Sequence, residues 1–332
     1  MARQPLLVTL KNAGIDGFLL ALIGCVVLAY FWSEPGTYDG VVSLNNIGHY
    51  GISLIFFFYG LKLSPAKLRA GLSNWRLHGV VQLSTFLLFP LIALVVMVCA
   101  GADVSNPLWL GFFFLATLPS TVSSSVVMVS IAKGNIPAAI FNASISAIIG
   151  VFITPLWMGL LLSSGSGSLD LGSTILSLVL QVLVPVAAGM LLNHKLGWVA
   201  ERYRRALNIS DQTIILIIVY CSFSESFASN MFSGLSAWHI VLLSVGMVVL
   251  FFVVYAAMYA VSRLLKFNRE DRITALFCGS KKSLVHGTVM SKVLLPQAAG
   301  VGLTLLPLML YHALQLMVVS IIARSMGKAK VS

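Results

Sequence analysis

Charge is scarce in this sequence, and acidic charge is scarcest. Of 332 residues only 9% are charged, with 10 Asp or Glu against 21 Lys or Arg, while 58% are hydrophobic. A chain this poor in charge cannot clothe a water-facing surface, and its apolar runs of about 20 residues recur from end to end, the pattern of a polytopic membrane protein. A net charge of +11 on a soluble protein would suggest a nucleic-acid partner. Here the basic residues sit in short loops between apolar runs, so the charge reads as a topology signal and the lipid bilayer, not nucleic acid, as the partner. Cysteine is equally sparse: Cys25, Cys99, Cys221 and Cys278 stand singly in apolar runs, with no CxxC and no His at metal-ligand spacing. That pattern predicts core packing and no metal or cofactor. There is no HExxH, no GxSxG elbow and no pair of acids within one span, which argues against an intramembrane enzyme. A sensor or regulatory protein usually carries an appended soluble domain, and the longest cytoplasmic loop here has only about 20 residues, which argues against that class.

Arg3 and Lys11 before an apolar run, and LIGC at 22–25, imitate a secretory or lipoprotein leader, but the run continues past Cys25 through VVLAYFW, as an uncleaved first span would. Ten apolar windows follow: 18–32, 44–61, 77–100, 108–132, 136–162, 171–192, 213–231, 238–261, 273–295 and 301–323. The basic residues sort these windows. Arg3 and Lys11 precede the first, Lys62, Lys67, Arg69 and Arg76 join the second to the third, and Lys133 follows the fourth. Lys195, Arg202, Arg204 and Arg205 join the sixth to the seventh, Arg263, Lys266, Arg269 and Arg272 the eighth to the ninth, and Arg324, Lys328 and Lys330 form the tail. The alternate loops hold none, although Glu34, Asp39, Asp103 and Asp170 lie there. Lys and Arg mark cytoplasmic loops, so this alternation predicts ten spans of a bacterial inner-membrane protein with both termini in the cytoplasm.

GLSNWRL (71–77) recurs as GLSAWHI (234–240), 163 residues later. The same offset lays the second window on the seventh and the fourth on the ninth, so it matches halves of five spans each. Five is odd, so the second half must be inverted in the membrane. A single domain over 1–332 is therefore predicted to contain two inverted repeats, 15–162 and 171–325. Such repeats characterise secondary transporters, whose site lies near the midplane where corresponding helices are broken.

The fourth and ninth windows are the ones whose apolar pattern fails halfway. LPSTVSSSVVM (118–128) places Pro119 beside Ser120, Thr121, Ser123, Ser124 and Ser125. Proline removes a backbone donor, and the hydroxyls can satisfy the freed carbonyls, coordinate a ligand, or simply allow close helix packing. In the ninth window, FCGSKKSLVHG (277–287) places Gly279 and Ser280 before Lys281, Lys282 and Ser283. Lys281 is the ninth residue of its window, hence roughly 12 Å into the bilayer at 1.5 Å per residue. A span beginning at Ser283 would instead put both lysines at the surface, but it would be very short before Pro296 and would still contain His286 and Lys292. A lysine pair in a bilayer calls for counter-charge or a proton route, and Glu225 and His286 are the candidates for charge partner or proton relay. Lys292 reads as a snorkelling residue.

These features together resemble the bile acid:sodium symporter superfamily, and within it the SBF-like, YfeH-type branch. The resemblance rests on FFFYGLKLSPAKL (56–68), LPSTVSSS, KGN (133–135), DQTIILIIVYCSFSE (211–225), FCGSKKSLVHG and LPLMLYHALQLMV (306–318), and covers nearly the whole chain. It implies an all-α fold of ten transmembrane helices in two inverted five-helix repeats, divided into panel and core domains, with broken helices 4 and 9 crossing in the core. It also implies a symport site for two sodium ions at that crossing. On that pattern Ser124 and Ser125 match the helix 4 ligands, while the acidic ligand position falls on Phe277 and the amide positions on Lys281 and Lys282. Two ammonium groups repel sodium instead of ligating it. The expected function is therefore secondary transport of a small organic or inorganic anion by alternating access, coupled to protons or to no ion in preference to sodium. Its expected site comprises Ser120, Thr121, Ser123, Ser124, Ser125, Ser280, Lys281, Lys282 and Ser283.

Overall fold

The computed structural model describes residues 17–38, 40, 43–63, 74–163, 171–295 and 301–328. Every regular element among them is helical. In chain order these are α1 (Gly17–Phe31), the single turn α2 (Glu34–Thr37), α3 (Leu44–Lys62), α4 (Trp75–Cys99), α5 (Pro107–Thr117), α6 (Ser123–Ile131) and α7 (Ile136–Ser163). There follow α8 (171–202), α9 (Arg204–Ala228), α10 (Ala237–Leu264), α11 (Arg269–Gly279), α12 (Leu284–Leu294) and α13 (Val301–Lys328).

Six of these, α4, α7, α8, α9, α10 and α13, have stretches long and apolar enough to cross a membrane. Large apolar side chains remain exposed along them, including Val98 (79%), Leu191 (81%) and Leu264 (80%), as a lipid-facing surface requires. Cys99 is exposed at the end of α4 and does not pack in the core, whereas Cys221 and Cys278 are buried and Cys25 is half-buried.

The charged loop expected between the sixth and seventh windows is absent: α8 runs on to Arg202 and α9 starts at Arg204, separated by Tyr203. Arginine, lysine and glutamate are good helix formers, so charge ends an apolar window without ending the helix. Lys62, at the end of α3, donates to Asp211 of α9 at 2.7 Å and to Asn208 at 3.0 Å. Asp103, in the expected acidic loop, is engaged by Ser105 through its amide and hydroxyl. Lys67, Arg69, Asp39 and Asp170 lie outside the described residues.

Two helices change winding before a proline. α4 contains a π-helical turn at Ser84–Leu88, ahead of Pro90, and α8 one at Val179–Leu183, ahead of Pro185. Each proline deprives the carbonyl four residues back of its donor. In α4 that carbonyl, Phe86, accepts from the Trp157 indole at 2.8 Å, and in α8 the equivalent Gln181 carbonyl accepts from the Ser53 hydroxyl at 3.3 Å. Backbones approach closely where glycine allows it. A Cβ on Gly60 of α3 would lie 2.1 Å from the Val186 carbonyl oxygen of α8, and one on Gly189 of α8 would lie 2.2 Å from the Phe57 carbonyl oxygen of α3. Interlocking small residues are how helices dock where water supplies no hydrophobic drive.

At one end of the molecule Asp271, at the start of α11, accepts from Asn74 at 2.6 Å and Asn135 at 2.9 Å, and Arg269 donates to the Met326 carbonyl at 2.7 Å. The N-terminal ends of α4, α7 and α11 and the C-terminal end of α13 are thereby tied together.

Candidate functional site

Two helix interruptions meet inside the bundle. α5 stops at Thr117 because Pro119 cannot donate and forces Leu118 into extended backbone (φ −69, ψ 153). The last turn of a helix leaves its carbonyls without intrahelical partners, and each must find a donor elsewhere. Here the Phe114 carbonyl accepts from Thr117 Oγ1 at 2.8 Å, the Leu115 carbonyl from the Leu118 amide at 3.3 Å, and the Thr117 carbonyl from Thr154 Oγ1 at 2.8 Å. The Ala116 and Leu118 carbonyls accept from Lys282 Nζ at 2.7 and 2.8 Å, and the Pro119 carbonyl from the Ser283 amide at 2.9 Å.

The second interruption, 280–283 between α11 and α12, is satisfied in the same way. Cys278 O accepts from Ser120 Oγ at 2.7 Å, Phe277 O from Ser125 Oγ at 3.4 Å, Gly279 O from Ser84 Oγ at 2.9 Å and Ser280 O from the Tyr311 hydroxyl at 2.7 Å. Gln315 of α13 grips Lys282 twice, accepting from its amide at 3.0 Å and donating to its carbonyl at 2.8 Å. Ser283 caps α12, its hydroxyl accepting from the His286 amide at 3.3 Å.

Both lysines are fully buried, but their surroundings differ. Lys282 Nζ donates to three backbone carbonyls, of Thr85 at 2.7 Å, Ala116 at 2.7 Å and Leu118 at 2.8 Å, so all three N–H bonds are used. Its ammonium also lies 4.2 Å from the centre of the Phe89 ring. The Thr85 carbonyl is available because Phe89 donates to Ser84 in the π turn and Pro90 has no donor. Lys282 thus neutralises the negative end of the α5 dipole. Lys281 Nζ donates to Ser124 Oγ at 2.6 Å, in the first turn of α6, beside that helix's positive end.

The expected site residues are brought together, but most of their hydroxyls are already employed. Ser120 and Ser125 donate to α11 carbonyls, Ser280 Oγ donates to its own Leu276 carbonyl at 2.6 Å, and Ser283 is a cap. Thr121 Oγ1 lies 2.8 Å from both Ser124 Oγ and Ser125 Oγ. Ser123 heads α6, and its side chain lies outside the described residues.

Glu225 does not meet Lys281 or Lys282. It accepts from Asn45 Nδ2 at 3.0 Å and lies 3.7 Å from Lys292, because its place near the end of α9 carries it away from the crossing. Lys292 consequently has polar neighbours of its own instead of simply snorkelling. His286 Nδ1 contacts Ser283 Oγ at 2.9 Å, and its ring meets Phe56 and Tyr59 of α3 edge-on. His286 Nε2 is buried without a hydrogen-bond partner among the described residues. His312 contacts Gln315 at 3.0 Å, whereas His49 is exposed. No group of three metal-ligating side chains occurs among the described residues. Sequence reasoning passed over Ser84, Thr85, Tyr311 and Gln315. The spacing of Tyr311, His312 and Gln315 on α13 was the available signal for a polar stripe facing the interruption.

The family model for the SBF-like CPA transporter family matches residues 16–328. A Pseudomonas aeruginosa protein named "Uncharacterized protein PA2026" is 39% identical over 95% of this chain and 94% of its own length. "Putative symporter YfeH" of Escherichia coli is 37% identical over 93% of this chain and 92% of its own. "Sodium/bile acid cotransporter 7" of Danio rerio is 27% identical over 93% of each. The family and the two functionally named relatives are transporters, not enzymes, which agrees with a multi-pass helical chain whose long helices suit a bilayer. With its full-length match and its all-helical, membrane-suited architecture, the chain belongs to the SBF-like CPA transporter family.

Proposed function

We propose that this chain is a secondary active transporter that moves a small organic or inorganic anion by alternating access, with a lysine standing in for a coupling cation. The observation that carries the reading is Lys282, whose ammonium sits among three carbonyl oxygens at 2.7–2.8 Å. Carbonyl oxygens converging at a helix C-terminus are the ligands a hard cation seeks. With a covalently tethered cation among them, sodium has no role there, so coupling runs on protons or on the solute gradient alone.

Lys281 supplies the anion selectivity. It sits at the positive end of α6 with one hydroxyl partner, an arrangement in which positive charges repel until an anion joins them. Ser124 and Thr121 border the same point. His286, with an unused ring nitrogen against α3, is our candidate for a proton relay.

Ten crossings in two inverted repeats, 15–162 and 171–325, are the architecture we assign. The repeated GLSNWRL and GLSAWHI support it, as does the correspondence of the interruptions: 118–122 shifted by the repeat offset of 163 gives 281–285, against 280–283. α5/α6 and α11/α12 then each count as one broken span. We place the basic loops and both termini in the cytoplasm of a bacterial inner-membrane protein.

The test is cation replacement. In proteoliposomes, uptake is expected to be unchanged when potassium or choline replaces sodium. Lys282→Ala should vacate the three oxygens and make thermal stability newly dependent on sodium or potassium over choline. A saturable sodium requirement in the parent protein would overturn the reading.

A further inference from the structure

Away from the crossing, α3 and α9 meet α12 around a cleft of about 220 Å³, whose wall includes Leu44, Asn45, Asn46, His49, Ile218 and Lys292. Lys292 is the one residue of that wall with a full positive charge, and its side chain is 21% exposed. Its ammonium is loosely held: Asn45 Oδ1 lies at 3.4 Å and Glu225 Oε1 at 3.7 Å. A committed ammonium–carboxylate contact is about 2.7–2.9 Å. Lys62 and Asp211 make one at 2.7 Å elsewhere in this molecule. Glu225 is held more closely by Asn45 Nδ2, at 3.0 Å, and forms no part of the cleft wall. Lys292 therefore faces the cleft with donor capacity to spare, among side chains that include two amides and an imidazole, with apolar Leu44 and Ile218 beside them.

We propose that this cleft is a docking site for a dissolved small oxyanion, a carboxylate, sulfonate or phosphate group, with Lys292 as the charge that holds it. Its volume suits a solute of modest size, and the charge that recognises an oxyanion there is the Lys292 ammonium, since Asn45 Nδ2 is given to Glu225 and Asn46 Nδ2 to the Gly40 carbonyl. Glu225 stays with Asn45 when the oxyanion arrives, so the guest need not displace a tight ion pair. The site is separate from the Lys281 and Lys282 crossing and stands or falls independently of it.

His49→Cys in a Cys99→Ser background supplies a reporter on the exposed rim. The probes are a methanethiosulfonate bearing a sulfonate and one bearing a trimethylammonium, each rate normalised to its reaction with a free thiol and corrected for the Cys99→Ser protein. The sulfonate reagent is expected to react about tenfold faster, the order that local charge steering produces, and its rate should saturate with concentration. Lys292→Met should bring the normalised ratio to about one, Lys292→Arg should retain the preference, and Glu225→Gln should increase it. Equal normalised rates in the parent reporter, or a rate that rises linearly with reagent, would overturn the proposal. So would a preference present in detergent but lost in phosphatidylglycerol bilayers, which would assign the cleft to a lipid headgroup.

Discussion

Lys281 and Lys282 are chemically identical neighbours, and the interruption of α11 and α12 gives them opposite work. Lys282 closes three carbonyl hydrogen bonds, so replacing it by Met leaves buried acceptors open. Each buried acceptor left open costs about 1–3 kcal/mol, and Lys282→Met, which opens three, is expected to lose stability on the scale of several such groups in chemical or thermal unfolding. Lys281 has one hydroxyl partner, so Lys281→Met removes a buried charge while stranding little. That variant is expected to match or exceed the parent in stability and to lose anion uptake. Parent-level uptake by both variants would exclude a transport role for the pair. Glu225→Gln should rescue neither, because Glu225 belongs to the Asn45 and Lys292 cluster.

Among elements, the two half-helix pairs depend on neighbours that supply donors their own backbones cannot. Pro90 and the π turn of α4 expose the Thr85 carbonyl to Lys282, and α13 replaces the missing helical bonds of Lys282 through Gln315. Gln315→Leu keeps bulk but leaves one amide and one carbonyl without partners. At about 1–3 kcal/mol for each stranded group, it is expected to cost roughly 2–6 kcal/mol, read as a fall in unfolding midpoint, with uptake impaired in the protein that remains folded. An unchanged midpoint would mean that the interruption is held by packing alone.

For the whole molecule, Asp271 and Arg269 gather the ends of α4, α7, α11 and α13 at one pole, and we assign that pole to the cytoplasm. Single cysteines at Glu34 and Asp103 are expected to react with impermeant reagents in intact cells, and cysteines at Arg204 and Arg269 only after permeabilisation. Finding position 204 labelled from the same side as 103 would overturn the ten-span assignment.

Composition and the spacing of apolar runs were enough to identify a helical membrane protein, because a bilayer penalises exposed polar backbone so strongly that hydropathy reports directly on structure. The resemblance to a symporter family was likewise legible, in motifs that the family match covers from end to end. Local chemistry marked both interruptions: Pro119 removes a donor and stands beside a run of hydroxyl residues, and Gly279 and Ser280 lead into two lysines that an apolar span does not tolerate. The 8-to-9 turn at Tyr203 was hidden because arginine and glutamate end hydropathy without ending helicity. The division of labour between Lys281 and Lys282 was equally out of reach, since nothing in adjacent identical residues says which will meet three carbonyls. Those carbonyls come from Thr85, Ala116 and Leu118, more than 160 positions away, and only the tertiary fold, which brings α4 and the end of α5 to the 280–283 interruption, carries them to one ammonium.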